Sequence, residues 1–316
     1  MVGKINLYSK IKMNKYICST KLKGERIMKI KISADTSSLI NSEVLKKNEI
    51  SEFPLNVIVD GVEYLDGVSI NQDELLNYMI NDSVIKTSTP PPGVIVEYFE
   101  NLFKEYDQVI HFTISSKLSS MYSLFTNIAN EYFAGKLIII DSYSGSSLML
   151  SHALYAKEEV EKGTDIETIC KNIEQRKKDN FVWLIPKNLT TLKKGGRVSP
   201  AIAAVGNVLG LKPVLSFVDG ALVKDGMTKS IKKAFFEKIE ENYEKCPVTN
   251  YDYTIMSFDG DVNVVNMLSE YIKNKSNGYD AIKGIIPINI SAHCGPGTIG
   301  VLVTPRINGK SLKEYI

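Results

Sequence analysis

The chain has 316 residues, 44% of them apolar and 23% charged, and its 38 Lys and Arg nearly balance 36 Asp and Glu for a formal charge of +2. This is an ordinary globular composition with room for two domains; it excludes a disordered chain and argues against nucleic acid as a partner of the body of the protein. Cys18, Cys170, Cys246 and Cys294 are scattered without a Cys-x-x-Cys pair, and no apolar run reaches membrane-spanning length, so we expect a cytoplasmic protein with reduced thiols, no metal site and no export signal.

In chain order, the first 27 residues are polar and basic, with Lys4, Lys10, Lys12, Lys15, Lys21, Lys23 and Arg26 opposed only by Glu25. They lack periodicity, and Lys23-Gly24-Glu25-Arg26 fits a purine-rich, ribosome-binding-like stretch just before the Met28 codon. The expectation is a natural start at Met28 and a disordered extension over 1–27, with a basic membrane-surface arm as the competing reading.

From Met28 onward short β-rich runs alternate with helical patterns, the mark of α/β architecture. Ile30 to Ala34, Pro54 to Val59, Gln108 to Ile114 and Leu137 to Asp141 read as strands. Met121 to Phe133 has helical periodicity, and the resulting strand-helix-strand unit implies parallel pairing. Asp60-Gly61 signals a tight hairpin. A helix over Ser147 to Glu161 is followed by Gly163-Thr164-Asp165, a helix stop and a new start, and the domain boundary falls there: 28–162 as an N-terminal α/β domain and 163–316 as a C-terminal α+β domain. The second half predicts a strand at Phe181 to Ile185, an Ala-rich helix around Pro200 to Leu209 and a hairpin across Val214 to Val223 turning at Asp219-Gly220. A helix capped by Thr228 and running to Lys245 comes next, followed by a strand, a helix and two closing strands, one of them Ile285 to Ile290.

Four polar clusters interrupt this pattern. Lys86-Thr87-Ser88-Thr89-Pro90-Pro91-Pro92-Gly93 precedes the amphipathic run Val94 to Phe103, so its hydroxyls read either as helix caps or as ligand groups. Ser115-Ser116-Lys117-Leu118-Ser119-Ser120 follows a strand and opens a helix, which places free N–H groups at the carboxyl end of a sheet, where α/β folds bind ligands and helix starts favour anions. Lys193-Lys194-Gly195-Gly196-Arg197 is a compact basic turn, read as a solvated loop or as a docking patch. Ala292-His293-Cys294-Gly295-Pro296-Gly297-Thr298-Ile299-Gly300 contains the Gly-x-Gly-x-x-Gly spacing of a dinucleotide loop. A β-like run follows it instead of a helix, and no acidic partner lies downstream, so that reading is rejected. There is no Gly-x-Ser-x-Gly elbow, and a His293–Cys294 dyad is excluded if the backbone is extended there. His111 and His152 read as structural, and Asp35 and Asp141 as Asx turns.

Taken together and in this order, the four clusters, the second running on through Met121-Tyr122 and the third through Val198-Ser199, resemble the signature of the DegV family of bacterial fatty-acid-binding proteins, and the segments Val57 to Asp66 and Lys136 to Ser142 fit it as well. The resemblance covers nearly everything after Met28. It implies an N-terminal α/β domain with a mainly parallel sheet, a C-terminal α+β domain and a lipid tunnel between them. It further implies that Thr87 and Ser119 hold a fatty acid carboxylate with Ser88 and Ser116 beside them, and that His293 contributes to the same site. Arg197, with Lys193 and Lys194, would face a partner kinase. Ser120 stands where the family usually has glycine, and Pro92 where serine is common. The function implied is non-enzymatic: the substrate-presenting subunit of a fatty acid kinase, with a long-chain fatty acid as ligand, no cofactor, and a transient membrane or acyltransferase contact during delivery toward phospholipid synthesis. The rival reading is a serine-dependent acyl hydrolase using Ser119 and His293.

Overall fold

The computed structural model describes residues 28–41, 43–187, 189–197 and 210–316. The basic extension over 1–27 and the expected Ala-rich helix around Pro200 to Leu209 lie outside the described residues.

The first half comprises β1 (Ile30–Asp35), α1 (Val44–Lys47), β2 (Ser51–Phe53), β3 (Asn56–Val59), β4 (Val62–Leu65), α2 (Gln72–Ile80), β5 (Ile85–Ser88), α3 (Pro92–Phe103), β6 (Gln108–Thr113), α4 (Met121–Tyr132), β7 (Leu137–Asp141) and α5 (Ser146–Glu161). Strands β2-β1-β6-β7 form one parallel sheet in that order. β1 and β6 are buried along most of their length, as strands covered by helices on both faces must be. The α4 crossover joins β6 to β7 as the periodicity predicts. β4-β3-β5 make a separate antiparallel sheet. Its first turn is two residues long, and Asp60 and Gly61 both take positive φ, +50° and +87°, the conformation that Asp-Gly supplies at least cost.

The second half contains α6 (Ile166–Lys178), β8 (Phe181–Ile185), α7 (Thr190–Gly195), β9 (Lys212–Val218), β10 (Ala221–Thr228), α8 (Ile231–Tyr243), β11 (Tyr251–Phe258), α9 (Val262–Lys275), β12 (Ile282–Ile285), α10 (Ile288–Cys294) and β13 (Thr298–Pro305). The sheet order is β10-β9-β8-β13-β11-β12, antiparallel except for the β11–β12 pair. The architecture is therefore α/β, with a parallel-sheet N-terminal domain and a mixed-sheet C-terminal domain.

Three local expectations are corrected. Thr228 does not cap α8: β10 keeps pairing with β9 through Thr228↔Lys212, so the chain turns later and Ser230 accepts from the Lys233 N–H at 3.3 Å. The apolar run Ile285 to Ile290 is not a strand: β12 ends at Ile285, and Pro287 at φ −51° starts α10. The basic cluster is not a flexible turn either, because Lys193 and Lys194 form the last turn of α7, closed by Gly196 at φ +67°.

Helix α5 joins the halves, packing on β1 and β6 of the first sheet and on β13 of the second. Every residue from Ser146 to Ala156 is buried, which is why this stretch has no polar face. At the opposite edge of the interface the β9–β10 turn docks on the first half: the Ser115 hydroxyl donates to the Gly220 carbonyl at 2.7 Å. A Cβ at Gly220 would stand 2.6 Å from Ser115 Oγ and 3.2 Å from Tyr143 Cα, at a φ of +79°. Gly220→Ala is expected to destabilise the protein by about 1–3 kcal/mol through overpacking, measured by denaturant unfolding, and Asp219→Ala, facing no such contact limit, by less.

Candidate functional site

A cavity of about 380 Å³ lies between the two halves, within the size range of small-molecule sites. Leu55, Ile114, Leu118 and Met121 form its wall on one side, Val182, Leu184, Phe217, Leu222, Met256 and Leu302 on the other, and Ile290 with Cys294 contribute from α10. These side chains can only solvate an apolar ligand. Thr87, Ser88, Ser119, Arg197 and His293 all reach the lining, as do Asn56, Thr89, Ser120, Ser144, Ser146 and Asn289.

The central contact is between Thr87 Oγ1 and His293 Nε2, 2.9 Å apart and 206 residues apart in sequence. Thr87 sits on β5, paired with Val57 of β3, and not at a helix start. The capping reading fails for the same reason: α3 begins at Pro92, Pro91 precedes it, and no side chain caps it. His293 sits in the last turn of α10 and not in a loop. Glycine at 195 lets α7 come this close, because a Cβ there would stand 2.5 Å from His293 Nδ1. Burial first, and then the nearby Arg197 charge, push the His293 pKa down to about 4, so the ring is neutral at pH 7.

The Ser115–Ser120 loop differs from a cradle of free N–H groups. The N–H groups of Leu118 and Ser119 donate to the Ser115 carbonyl at 3.0 and 3.1 Å, that of Lys117 to Ser115 Oγ at 3.2 Å, and that of Ser116 to Asp141 Oδ1 at 3.1 Å. What the loop presents is the Ser119 hydroxyl, which accepts weakly from the Met121 N–H at 3.4 Å. Ser116 is exposed and stands outside the cavity wall; its contribution is the backbone bond to Asp141. Ser88 lines the wall and donates to Glu63 Oε1 at 3.3 Å.

Arg197 does not point away from the site. Its side chain lines the cavity, with Nε on the Leu118 carbonyl at 3.4 Å and Nη1 on the Gly195 carbonyl at 2.5 Å. Lys194 is exposed and Lys193 half-buried on the turn outside it.

Asp35 and Asp141 behave as Asx turns, accepting from the N–H two residues on, at 2.9 and 3.1 Å. Asp35 also accepts from Ile114 N–H at 2.8 Å, tying β1 to the loop that carries Ser119; burial raises its pKa to about 6. His111 and His152 are fully buried, bonded to Ser33 and Asn180. Cys294, on a helix and not on extended chain, lines the wall as a buried thiol whose pKa burial pushes up to about 12, which suppresses nucleophilic reactivity. Among the described residues no carboxylate bonds His293, as a hydrolytic triad would require, and no group of His, Cys, Asp or Glu is placed to hold a metal ion.

Sequence reasoning missed Asn289 and Asp66. Asn289 lies four residues before His293 on α10 and lines the cavity. Its amide donates to Asp66 Oδ2 at 2.5 Å and to Thr36 Oγ1 at 3.3 Å, and its oxygen accepts from Ser37 Oγ at 3.1 Å. Burial raises Asp66 to about 7. The available signal was the i, i+4 spacing of Asn289 and His293, legible only if the segment is read as a helix.

The histidine gives a pH dependence of known sign. A group whose folded pKa, about 4, lies below its ordinary 6.5 contributes stability that is present above about pH 6.5 and lost as pH falls through 4. Ligand-free His293→Gln is therefore expected to lose less stability between pH 7 and pH 4.5 than the ligand-free wild type, by calorimetric melting at both pH values.

Residues 29–306 match the profile of the DegV family, described as an uncharacterised protein family. A DegV domain-containing protein of Staphylococcus aureus (strain N315) is 29% identical over 283 residues, covering 87% of this chain and 98% of that protein. Among solved structures, a DegV family protein from Thermus thermophilus described for its fatty acid binding superposes with a TM-score of 0.78 at 26% identity, over 88% of this chain and 100% of that one. A Thermotoga maritima protein whose structure reveals a fatty acid binding function does so with a TM-score of 0.72 at 27% identity, over 88% and 99%. The resemblance carried by the four clusters is thus borne out over nearly all the described chain, and the protein belongs to the DegV family.

Proposed function

We propose that the protein binds a long-chain fatty acid in the cavity, with the carboxylate held by Thr87, Ser119 and His293 and with Ser88 beside them. The observation that carries this reading is the Thr87–His293 pair in a cavity whose lining is mainly apolar. Two hydroxyls and one imidazole offer hydrogen bonds, while the apolar side chains of the walls offer burial. Each buried CH₂ gains roughly 0.8 kcal/mol, so the tail supplies most of the gross affinity, from which association and ordering costs are subtracted. The head group fixes orientation. Because His293 is neutral, the carboxylate charge is balanced by Arg197, whose guanidinium reaches the same lining.

The partner side of the reading is a separate fatty acid kinase. Lys193 and Lys194 form the outer rim and Arg197 the inner end of one cationic strip, so a kinase docked there would meet the head group directly. The protein would present the carboxylate, retain the acyl phosphate and release it toward phospholipid synthesis in the cytoplasm, through a transient membrane or acyltransferase contact, without covalent chemistry of its own. Ser116 serves this site only through the bond that steadies its loop.

Protein purified from bacteria is expected to carry fatty acid, identified by mass spectrometry of an organic extract; an extract containing none would sink the reading. Thr87→Ala, Ser119→Ala and His293→Ala should each weaken binding by about 1–3 kcal/mol, the worth of a hydrogen bond to a charged group. Gly195→Ala should act in the same direction by displacing the imidazole. Wild-type affinity in all four would place the carboxylate elsewhere. Turnover of an activated ester without kinase would favour the hydrolase instead.

Arg197→Ala should lower both fatty acid occupancy and the rate of acyl phosphate formation with purified kinase. Lys194→Ala should spare occupancy and slow association with the kinase, most at low salt. Full occupancy in Arg197→Ala with a slowed kinase reaction would assign the arginine to the partner alone.

A further inference from the structure

The floor of the cavity is built on two glycines that the backbone does not require. The C-terminal sheet contributes Val182 and Leu184 from β8, Phe217 from β9, Leu222 from β10, Met256 from β11 and Leu302 from β13 to the lining, all of them apolar. The polar lining residues come instead from the N-terminal half, from α10 and from Arg197. A tail therefore runs over the sheet, and the head group lies against the opposite wall.

Gly284 and Gly300 sit in one row across this sheet. Gly284 of β12 pairs with Met256 of β11, Met256 with Gly300 of β13, and Gly300 with Leu184 of β8. Paired residues carry their side chains on the same face, and Leu302, two residues beyond Gly300, shares it. Neither glycine has a positive φ, and glycine in a strand interior weakens the strand unless something must approach closely there. What each position supplies is room. A Cβ on Gly284 would stand 2.7 Å from Met256 Sδ, 3.1 Å from its Cε and 3.3 Å from Ile40 Cβ; a Cβ on Gly300 would stand 3.2 Å from Leu184 Cδ1 and 3.3 Å from Leu302 Cδ1. The Met256 tip thus rests over Gly284, and the tips of Leu184 and Leu302 over Gly300. Below each tip lies the sheet itself, so a methyl group at either glycine raises the tip toward the cavity.

We infer that Gly284 and Gly300 are specificity-determining positions, which keep Met256, Leu184 and Leu302 low on the sheet and so set the longest acyl chain that the cavity admits. Between packed walls, volume taken by a raised side chain is volume lost to the last methylenes of the tail. The inference rests on the fatty-acid-binding reading and adds to it the residues that choose chain length.

The test is competition binding of straight-chain saturated acids, from dodecanoic to eicosanoic in steps of two carbons, to full-length, delipidated protein. Each variant is read as the ratio of its affinities for different lengths within one preparation, which a partly unfolded fraction does not change. Gly284→Ala and Gly300→Ala are each expected to move the preferred length down, the wild-type optimum losing about fourfold or more against the next shorter acid, the worth of one buried CH₂. Met256→Ala should move the preferred length up. The double variant Gly284→Ala/Met256→Ala should keep that longer preference, because its new methyl group has no thioether to displace. A wild-type preference retained in both glycine variants, or affinity lowered evenly at all lengths, overturns the inference and leaves the fatty acid reading intact. So does a double variant that prefers the shorter acids as strongly as Gly284→Ala alone. Wild-type protein that binds none of the acids overturns both.

Discussion

The placement of one short helix depends on a buried amide. Asn289 ties α10 to Asp66, Thr36 and Ser37, all from the N-terminal half and all nearly or fully buried. Its own backbone N–H adds a further bond to Asp66 at 3.2 Å. A polar network with this little access to water is strong when complete and costly when one member is lost. Because α10 also carries Ile290, His293 and Cys294, this anchor sets the distance between His293 and Thr87 and the shape of one cavity wall. The site is therefore a consequence of how the two halves are docked and not of any one loop.

A second constraint comes from the other side of the same helix. Gly195 brings α7 against His293 with no room for a methyl group, and Gly196, at φ +67°, then turns the chain so that Arg197 reaches the cavity. The Gly-Gly pair is thus a packing device that delivers a cation. It also explains the electrostatics: an imidazole buried beside a guanidinium stays neutral, leaving the arginine as the group that can offset a carboxylate. On the proposed reading, burial of the head group and charge complementarity fall to different residues, so they can be separated experimentally.

The rest of the architecture serves to keep an apolar space open between two sheets. α5 touches both and is buried on all sides from Ser146 to Ala156, so neither sheet can shift without unpacking it. The β9–β10 turn closes the opposite edge through the Ser115–Gly220 bond. A cavity held between such fixed walls is preformed, and a preformed site spares a ligand part of the ordering cost of binding.

Much of this was legible in the sequence. The alternation of strand and helix patterns determined the α/β class, β6-α4-β7 followed from its periodicity, and the Asp60-Gly61 turn from the need for positive φ. Four clusters in fixed order gave the family. These features are local or depend only on order, and sequence records both. Other features were decided by tertiary structure. Thr87 lies on a strand because β3 is there to pair with it. The run after Ile285 becomes a helix because Pro287 ends the pairing, and short apolar runs are ambiguous until something packs on them. Arg197 lines the cavity, and Asn289 meets Asp66 across 223 residues, through contacts that leave no local trace: their energy comes from neighbours brought together only when the two halves dock.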